Sequence, residues 1–286
     1  MAIIWELDYY SRPIVDEAQK KLWEVLICES PLSVGDKSES LFRYSQFCPS
    51  STVNSLWLAA AIQEAIASAG EKPEKIRFFR RQMTNMITKA CEELKIPAAP
   101  SRRTYTLQLW LQERMQEVYP TYPGFQAVFN PSVQYSSDIP QPLPDALIGE
   151  KWSFVTLPAE AFDEMPEWEI DFGEAFGLGA FGLKPQTPIP GLIIYSSRAI
   201  ALAGWMSGLE LAFVKFEGGP PAKLVLETGA SDRWILANLK DLGVVAEAKG
   251  FETAKLVANQ VHFLAIQSNP ESESFAGFWL MQEFNI

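Results

Sequence analysis

Over the first 95 residues the hydrophobic and polar positions change period in a readable order. WELDYYSRPI (5–14), KLWEVLICES (21–30) and LFRYSQFC (41–48) are short runs rich in β-branched and aromatic residues, separated by polar, turn-prone segments, which predicts three strands. The period then lengthens. In VNSLWLAAAIQEAIASAG (53–70), Leu56, Ala59, Ala60, Gln63 and Ala67 fall at helical spacing, Pro49, Ser50, Ser51 and Thr52 offer capping in front, and Gly70 ends the run. KIRFF (75–79) predicts a fourth strand and MTNMITKACEEL (83–94) a second helix. The predicted fold class is α/β, in the order βββαβα.

Residues 120–191 lose this regularity. They hold 11 of the 20 prolines, eight of them in YPTYPGF, IPQPLPD and KPQTPIPG, and proline removes backbone donors and blocks helix interiors. The stretch is expected to be an acidic, proline-rich connection between an N-terminal module (1–119) and a C-terminal one (192–286). It still contains KWSFVTL (151–157), which reads as a strand, and Trp168, Phe172, Phe176 and Phe181 give it apolar mass with which to dock.

The C-terminal module is expected to repeat the first. Sliding the chain by 186 places Tyr9, Ser11, Arg12, Ile14 and Glu24 on Tyr195, Ser197, Arg198, Ile200 and Glu210, and a slip to 177 sets Trp57 on Trp234 at the start of a helix. The predicted architecture is two related βββαβα modules, an order shared with ribonuclease-H-like folds.

Charge changes this picture. The chain has 286 residues and a net charge of -11, but residues 1–119 carry 15 basic and 15 acidic groups, 120–191 carry two and ten, and 192–286 carry seven and ten. Within 71–120 the balance turns positive, ten bases against six acids. Arg77, Arg80, Arg81, Arg102 and Arg103 are candidates to neutralise phosphates there. Phe78, Phe79, Tyr105 and Trp110 offer faces on which unpaired bases could stack. The alternative is a solvated basic face over core aromatics. Arg12 and Arg198 pair in register with Glu24 and Glu210, so structural ion pairs are expected of them.

Several chemistries are excluded or weakened. A single histidine, His262, cannot build a multi-histidine metal site, and inside VHFLAIQ it reads as a satisfied, half-buried imidazole. GLGAFG (177–182) spells G-x-G-x-x-G but follows acidic EIDFGEAF and precedes three prolines, so it lacks the strand and helix that place a pyrophosphate. Asp171-Phe172-Gly173 lacks a kinase's lysine strand and catalytic loop. A metal-dependent nuclease could use Asp8 and Glu64, but the fourth strand offers Arg80 and Arg81 where an acid is needed. A restriction-endonuclease-like site would want a lysine at position 26, which is Leu26. No catalytic residue, cofactor or metal is therefore assigned. Cys28, Cys48 and Cys91 are odd in number with no C-x-x-C, which points to a reducing compartment. No apolar run reaches the roughly 18–20 residues a membrane span needs.

WELDYYSRP followed by KLWEVLICES, FRYSQFCPSSTVNS, IRFFRRQM, and the ending VHFLAIQSNP…FAGFWLMQEF resemble, in order and over essentially the whole chain, the Tab/Atab family of cyanobacteria, algae and plants. The resemblance implies an RNA-binding protein that promotes translation of a photosystem I reaction-centre subunit and assembly of the photosystem. It also carries a Trp-Leu-Leu tripeptide implicated in RNA binding onto Trp279, Leu280 and Met281, on what is expected to be a short C-terminal helix. The third position departs from the pattern while keeping volume and apolar character. Absence of a transit peptide implies a cyanobacterial member in the cytoplasm. The partner expected is a single-stranded messenger leader. Two alternatives stay open: a protein-binding assembly factor without RNA contact, and a degenerate ribonuclease-H-like nuclease.

Overall fold

The computed structural model describes residues 3–37, 40–127 and 138–284. They divide into two compact units, the first from residues 3–30 and 40–127, the second from 31–37 and 138–284. No described helix is long and apolar enough to cross a membrane.

The first unit runs β1 (Ile4–Val15), β2 (Lys21–Glu29), β3 (Arg43–Cys48), α1 (Ser55–Ala69), β4 (Lys75–Phe78), α2 (Thr84–Glu93), β5 (Ala98–Pro100) and α3 (Tyr105–Glu113). The sheet order is β3-β2-β1-β4-β5; the hairpins are antiparallel, and β1–β4 and β4–β5 are parallel. β1 explains the layering. Trp5, Leu7 and Tyr9 alternate onto the face that packs with Leu58, Ile62 and Ile87, while Glu6, Asp8 and Arg12 are buried on the other.

The six predicted elements of this unit are present, with shifted details. α1 is capped by Asn54, whose side chain accepts from Trp57 N–H at 2.9 Å, rather than by residues 49–52. Its buried face is Leu58, Ala61, Ile62 and Ala65, and Leu56 stands 68% exposed. Two apolar stripes compete on this alanine-rich helix, and Ile62 decides for the second. Gly70 closes it with φ 79. The order continues with β5 and α3, which were not foreseen.

The second unit contains β6 (Gln141–Pro142), β7 (Lys151–Pro158), β8 (Ile170–Glu174), β9 (Pro188–Tyr195), α4 (Ala199–Ser207), β10 (Leu211–Glu217), β11 (Ala222–Thr228), β12 (Asp232–Leu239), α5 (Leu242–Val257), β13 (Val261–Gln267) and β14 (Phe275–Gln282). One sheet is β10-β11-β12-β6, the other β7-β9-β13-β14-β8. Leu224 and Leu226 from the first sheet, Leu264 and Trp279 from the second, and Leu202 and Phe251 from the helices share one core.

Three expectations are corrected here. The residues from β9 onward run β-α-β-β-β-α-β-β, so they do not repeat the first unit: Tyr195 ends β9, Ile200 lies in α4, and Trp234 lies on β12 rather than on a helix. Matching aromatic letters do not specify whether the local period is 2 or 3.6. Residues 275–282 form strand β14, not a helix, because they pair antiparallel with β13 through six consecutive positions. The stretch read as a connection supplies β7 and β8, the two outer strands of the second sheet. Trp168 packs its ring on Phe275 and Phe278 there, and Phe176 on Phe181.

Candidate nucleic-acid interface

On the sheet face of the first unit opposite its main core, β1 and β2 carry three buried carboxylates, Glu6, Asp8 and Glu24. Asp8 accepts from Arg12 Nη1 at 2.8 Å and from Arg80 Nε at 2.5 Å. Burial pushes its carboxyl up, and the Arg80 and Arg12 guanidiniums outweigh that, holding it below the usual range. Glu24 accepts from Arg12 Nε at 2.9 Å, from Tyr119 Oη at 2.5 Å, and from Arg114. Glu6 accepts from Ser30 Oγ at 2.7 Å and from Leu107 N–H at 2.7 Å, so a strand carboxylate caps the first turn of α3. The Arg80 guanidinium lies 4.2 Å from the Tyr10 ring centroid, and Arg114 5.6 Å from that of Trp110.

This places the arginines selected from sequence. Arg77, Arg80, Arg102 and Arg103 are buried, and Arg81 alone of the five is exposed. Arg80 sits at the end of β4 where a nuclease would need an acid, and its guanidinium occupies the Asp8 carboxylate. Glu64 is exposed on α1, accepting from Tyr44 Oη at 2.9 Å. Among the described residues no group of three His, Cys, Asp or Glu side chains is placed to hold a metal. The expected Arg12–Glu24 pair is present; Arg198 lies exposed just before α4.

Trp279, Leu280 and Met281 are interior residues of β14. Trp279 and Met281 face the shared core, and Leu280 turns to the other face, where it is also buried. Gly277, two positions before Trp279 on the same face, leaves room for the indole: a Cβ there would lie 2.5 Å from the ring. His262 is buried and saturated, its Nε2 accepting from Val214 N–H at 2.9 Å and its Nδ1 2.9 Å from Gln260 O. Burial first, and the neighbouring Lys255 second, hold it well below its ordinary pKa.

Outward-facing cations remain. Arg81, at the entry to α2, and Lys89, two turns on, are exposed on one stripe with Asn85 between them. Lys72 donates to Leu94 O at 2.7 Å and so crosses the C-terminal end of the same helix. Sequence reasoning singled out the basic residues as a group but not their direction, because a guanidinium is as compatible with a buried carboxylate as with a phosphate.

These features define a two-unit α/β protein whose first unit buries most of its arginines, three of them (Arg12, Arg80 and Arg114) in an ion network with Asp8 and Glu24, and presents a few cations along one helix. The chain matches the "RNA-binding protein Tab2/Atab2 N terminal" domain over residues 4–114 and the "RNA-binding protein Tab2/Atab2, C-terminal domain" over 130–282. It therefore belongs to the Tab2/Atab2 family of RNA-binding proteins. It is 39% identical over 285 residues to the chloroplastic TAB2 homolog of Zea mays, covering 97% of this chain and 70% of the relative. To the chloroplastic TAB2 homolog of Arabidopsis thaliana it is 40% identical over 284 residues, covering 97% and 74%. Among solved structures, the HTLV-2 integrase catalytic core aligns with 42% of this chain and 75% of that one at 15% identity and a TM-score of 0.25, too slight a likeness to carry an argument.

Proposed function

We propose that this chain is a non-enzymatic RNA-binding factor that engages a single-stranded messenger leader through the outer face of α2, in support of translation of a photosystem I reaction-centre subunit. Membership of an RNA-binding family over both units is the observation that carries the RNA partner. The role in photosystem I expression follows the family resemblance, and the relatives named as chloroplastic proteins fit it. Three buried thiols without a disulfide suit a reducing compartment such as the cytoplasm.

Arg81, with Lys89 behind it, is the side chain of the selected set that can reach a phosphate without dismantling the fold. Arg77, Arg80, Arg102 and Arg103 act on this reading as the buried support of that surface, and Trp279, Leu280 and Met281 as core. Filter binding of the full chain to a U-rich leader RNA at two salt concentrations tests it. Arg81→Glu with Lys89→Glu, in protein that circular dichroism shows to be folded, is expected to weaken binding about equally across RNA sequences and to lower the salt dependence by about one to two counterions. Retention of full affinity in that folded double variant removes the proposal. Arg80→Glu, by contrast, puts a third acid beside Asp8 and Glu24 and is expected to unfold the first unit.

A further inference from the structure

Outer strands offer backbone groups to any passing chain, and proteins blunt them with charge, proline or brevity. In this protein β3 begins with Arg43, β5 is three residues long and ends in Pro100, β6 is two residues long, β8 carries Asp171 and Glu174, and β10 carries Lys215 and Glu217. β7, at eight residues the longest outer strand among the described residues, carries such devices only at its two ends. Between Lys151 and Pro158 it runs Trp-Ser-Phe-Val-Thr-Leu without a charge or a proline, in unbroken register with β9 on one side. In such an antiparallel pair every second residue turns its N–H and C=O away from the partner.

Beside this edge lies a groove of about 470 Å³, lined by Trp152 and Phe154 of β7 and by Glu247, Gly250, Phe251 and Ala254 of α5. The four helix positions are spaced i, i+3, i+4 and i+7, a single helix face. Phe154 and Phe251 meet with centroids 5.6 Å apart, and a side chain added at Gly250 would meet nothing within 4 Å. The groove is thus open where it needs width. Its electrostatics select the occupant: residues 138–284 hold 20 acidic and 9 basic groups, the whole of the molecule's net -11, and Glu247 lines the groove itself. A polyanion is repelled here; a cationic chain is drawn in.

We propose that β7 and α5 form a docking groove for an extended, cationic segment of a protein partner, which adds to the second sheet as a further strand beside β7. Main-chain bonds to the open edge hold it, alternate apolar side chains reach Trp152, Phe154 and Phe251, and a Lys or Arg meets Glu247.

The test selects a phage-displayed random nonapeptide library on the immobilised full chain and measures the enriched peptides, made synthetically, by fluorescence anisotropy. The expected peptides alternate Lys or Arg with β-branched residues. Their affinity falls at least about ten-fold when alternate backbone nitrogens are methylated and when Gly250→Trp fills the groove, while Gly250→Ala preserves it. Glu247→Gln weakens binding about three-fold. Should Gly250→Trp melt lower than the parent, Glu247→Lys on the exposed helix face replaces it, with the same direction expected. The proposal is overturned by a selection without enrichment, by equal binding of the methylated peptide, or by peptides indifferent to the groove variants. It is also overturned if a uridine oligonucleotide displaces the peptide, which gives the groove to RNA. A dimer in sedimentation velocity that Gly250→Trp abolishes gives it to a second copy of the chain.

Discussion

At the scale of single residues, Trp279 shows that an aromatic in a functional-looking tripeptide can be enclosed by the core. It is 3% exposed and is accommodated by the absence of a side chain at Gly277. Trp279→Ala should cost about 3–5 kcal/mol by urea denaturation, the scale of a large core truncation. Trp279→Phe should cost less and leave RNA affinity intact in the folded protein. A folded Trp279→Phe variant that loses RNA binding, measured by the same filter assay, would return this residue to the interface. His262 was legible as a satisfied imidazole from its apolar flanks. Gln260 O is a local partner two residues away, but Val214 N–H was not legible, since it comes from β10 of the other sheet of the second unit.

Between residue and fold, the elements show where periodicity is a sufficient signal and where it is not. β1 and β2 alternate clearly because each has one face on an apolar core and the other on charge. α3 was missed because Tyr105, Leu107, Gln108 and Trp110 are all buried, leaving no polar side to give it a period. Its first turn is held from outside by Glu6, through Leu107 N–H. Glu6→Gln keeps the shape but removes the negative charge from the helix N-terminus, and should destabilise the first unit by about 1–2 kcal/mol while speeding amide exchange in α3. Unchanged exchange protection in 105–113 would show that the carboxylate is not what holds the turn. β14 illustrates the converse: a run buried on both faces reads equally as strand or helix until a partner strand claims it.

Across the whole molecule, buried charge predicts a pH profile. Asp8, Glu283 and His262 all have pKa values held down in the folded protein. For Glu283 burial acts upward, and the ammonium of Lys255, 2.5 Å away, outweighs it. A depressed folded pKa contributes stability above the unfolded value and loses it as pH falls toward the folded one. Stability should therefore be level between about pH 6.5, where unfolded histidine is neutral, and about pH 8, above which unfolded thiols ionise while buried Cys28 and Cys91, their pKa values raised by burial, resist; it should decline below about pH 6.5 as His262 resists protonation, and drop more steeply below about pH 4.5, where unfolded carboxylates take up protons. Urea midpoints across this range measure it, each proton contributing a slope of about 1.4 kcal/mol per pH unit. His262→Gln should remove the first decline and leave the second. A single transition unaffected by that substitution would contradict the assignment.

The sequence alone determined the α/β class, the first six elements, the uneven placement of charge and the family resemblance, because each is written in local period, composition or ordered motifs. Tertiary structure decided which arginines face water, which stripe of α1 is buried, and that residues 275–282 pair as a strand. It also gathered β7 and α5, some ninety residues apart in the chain, around one groove. The physical reason is common to all four: each depends on what lies on the far side of a side chain or a strand edge, and that neighbour is supplied by distant parts of the chain rather than by adjacent letters.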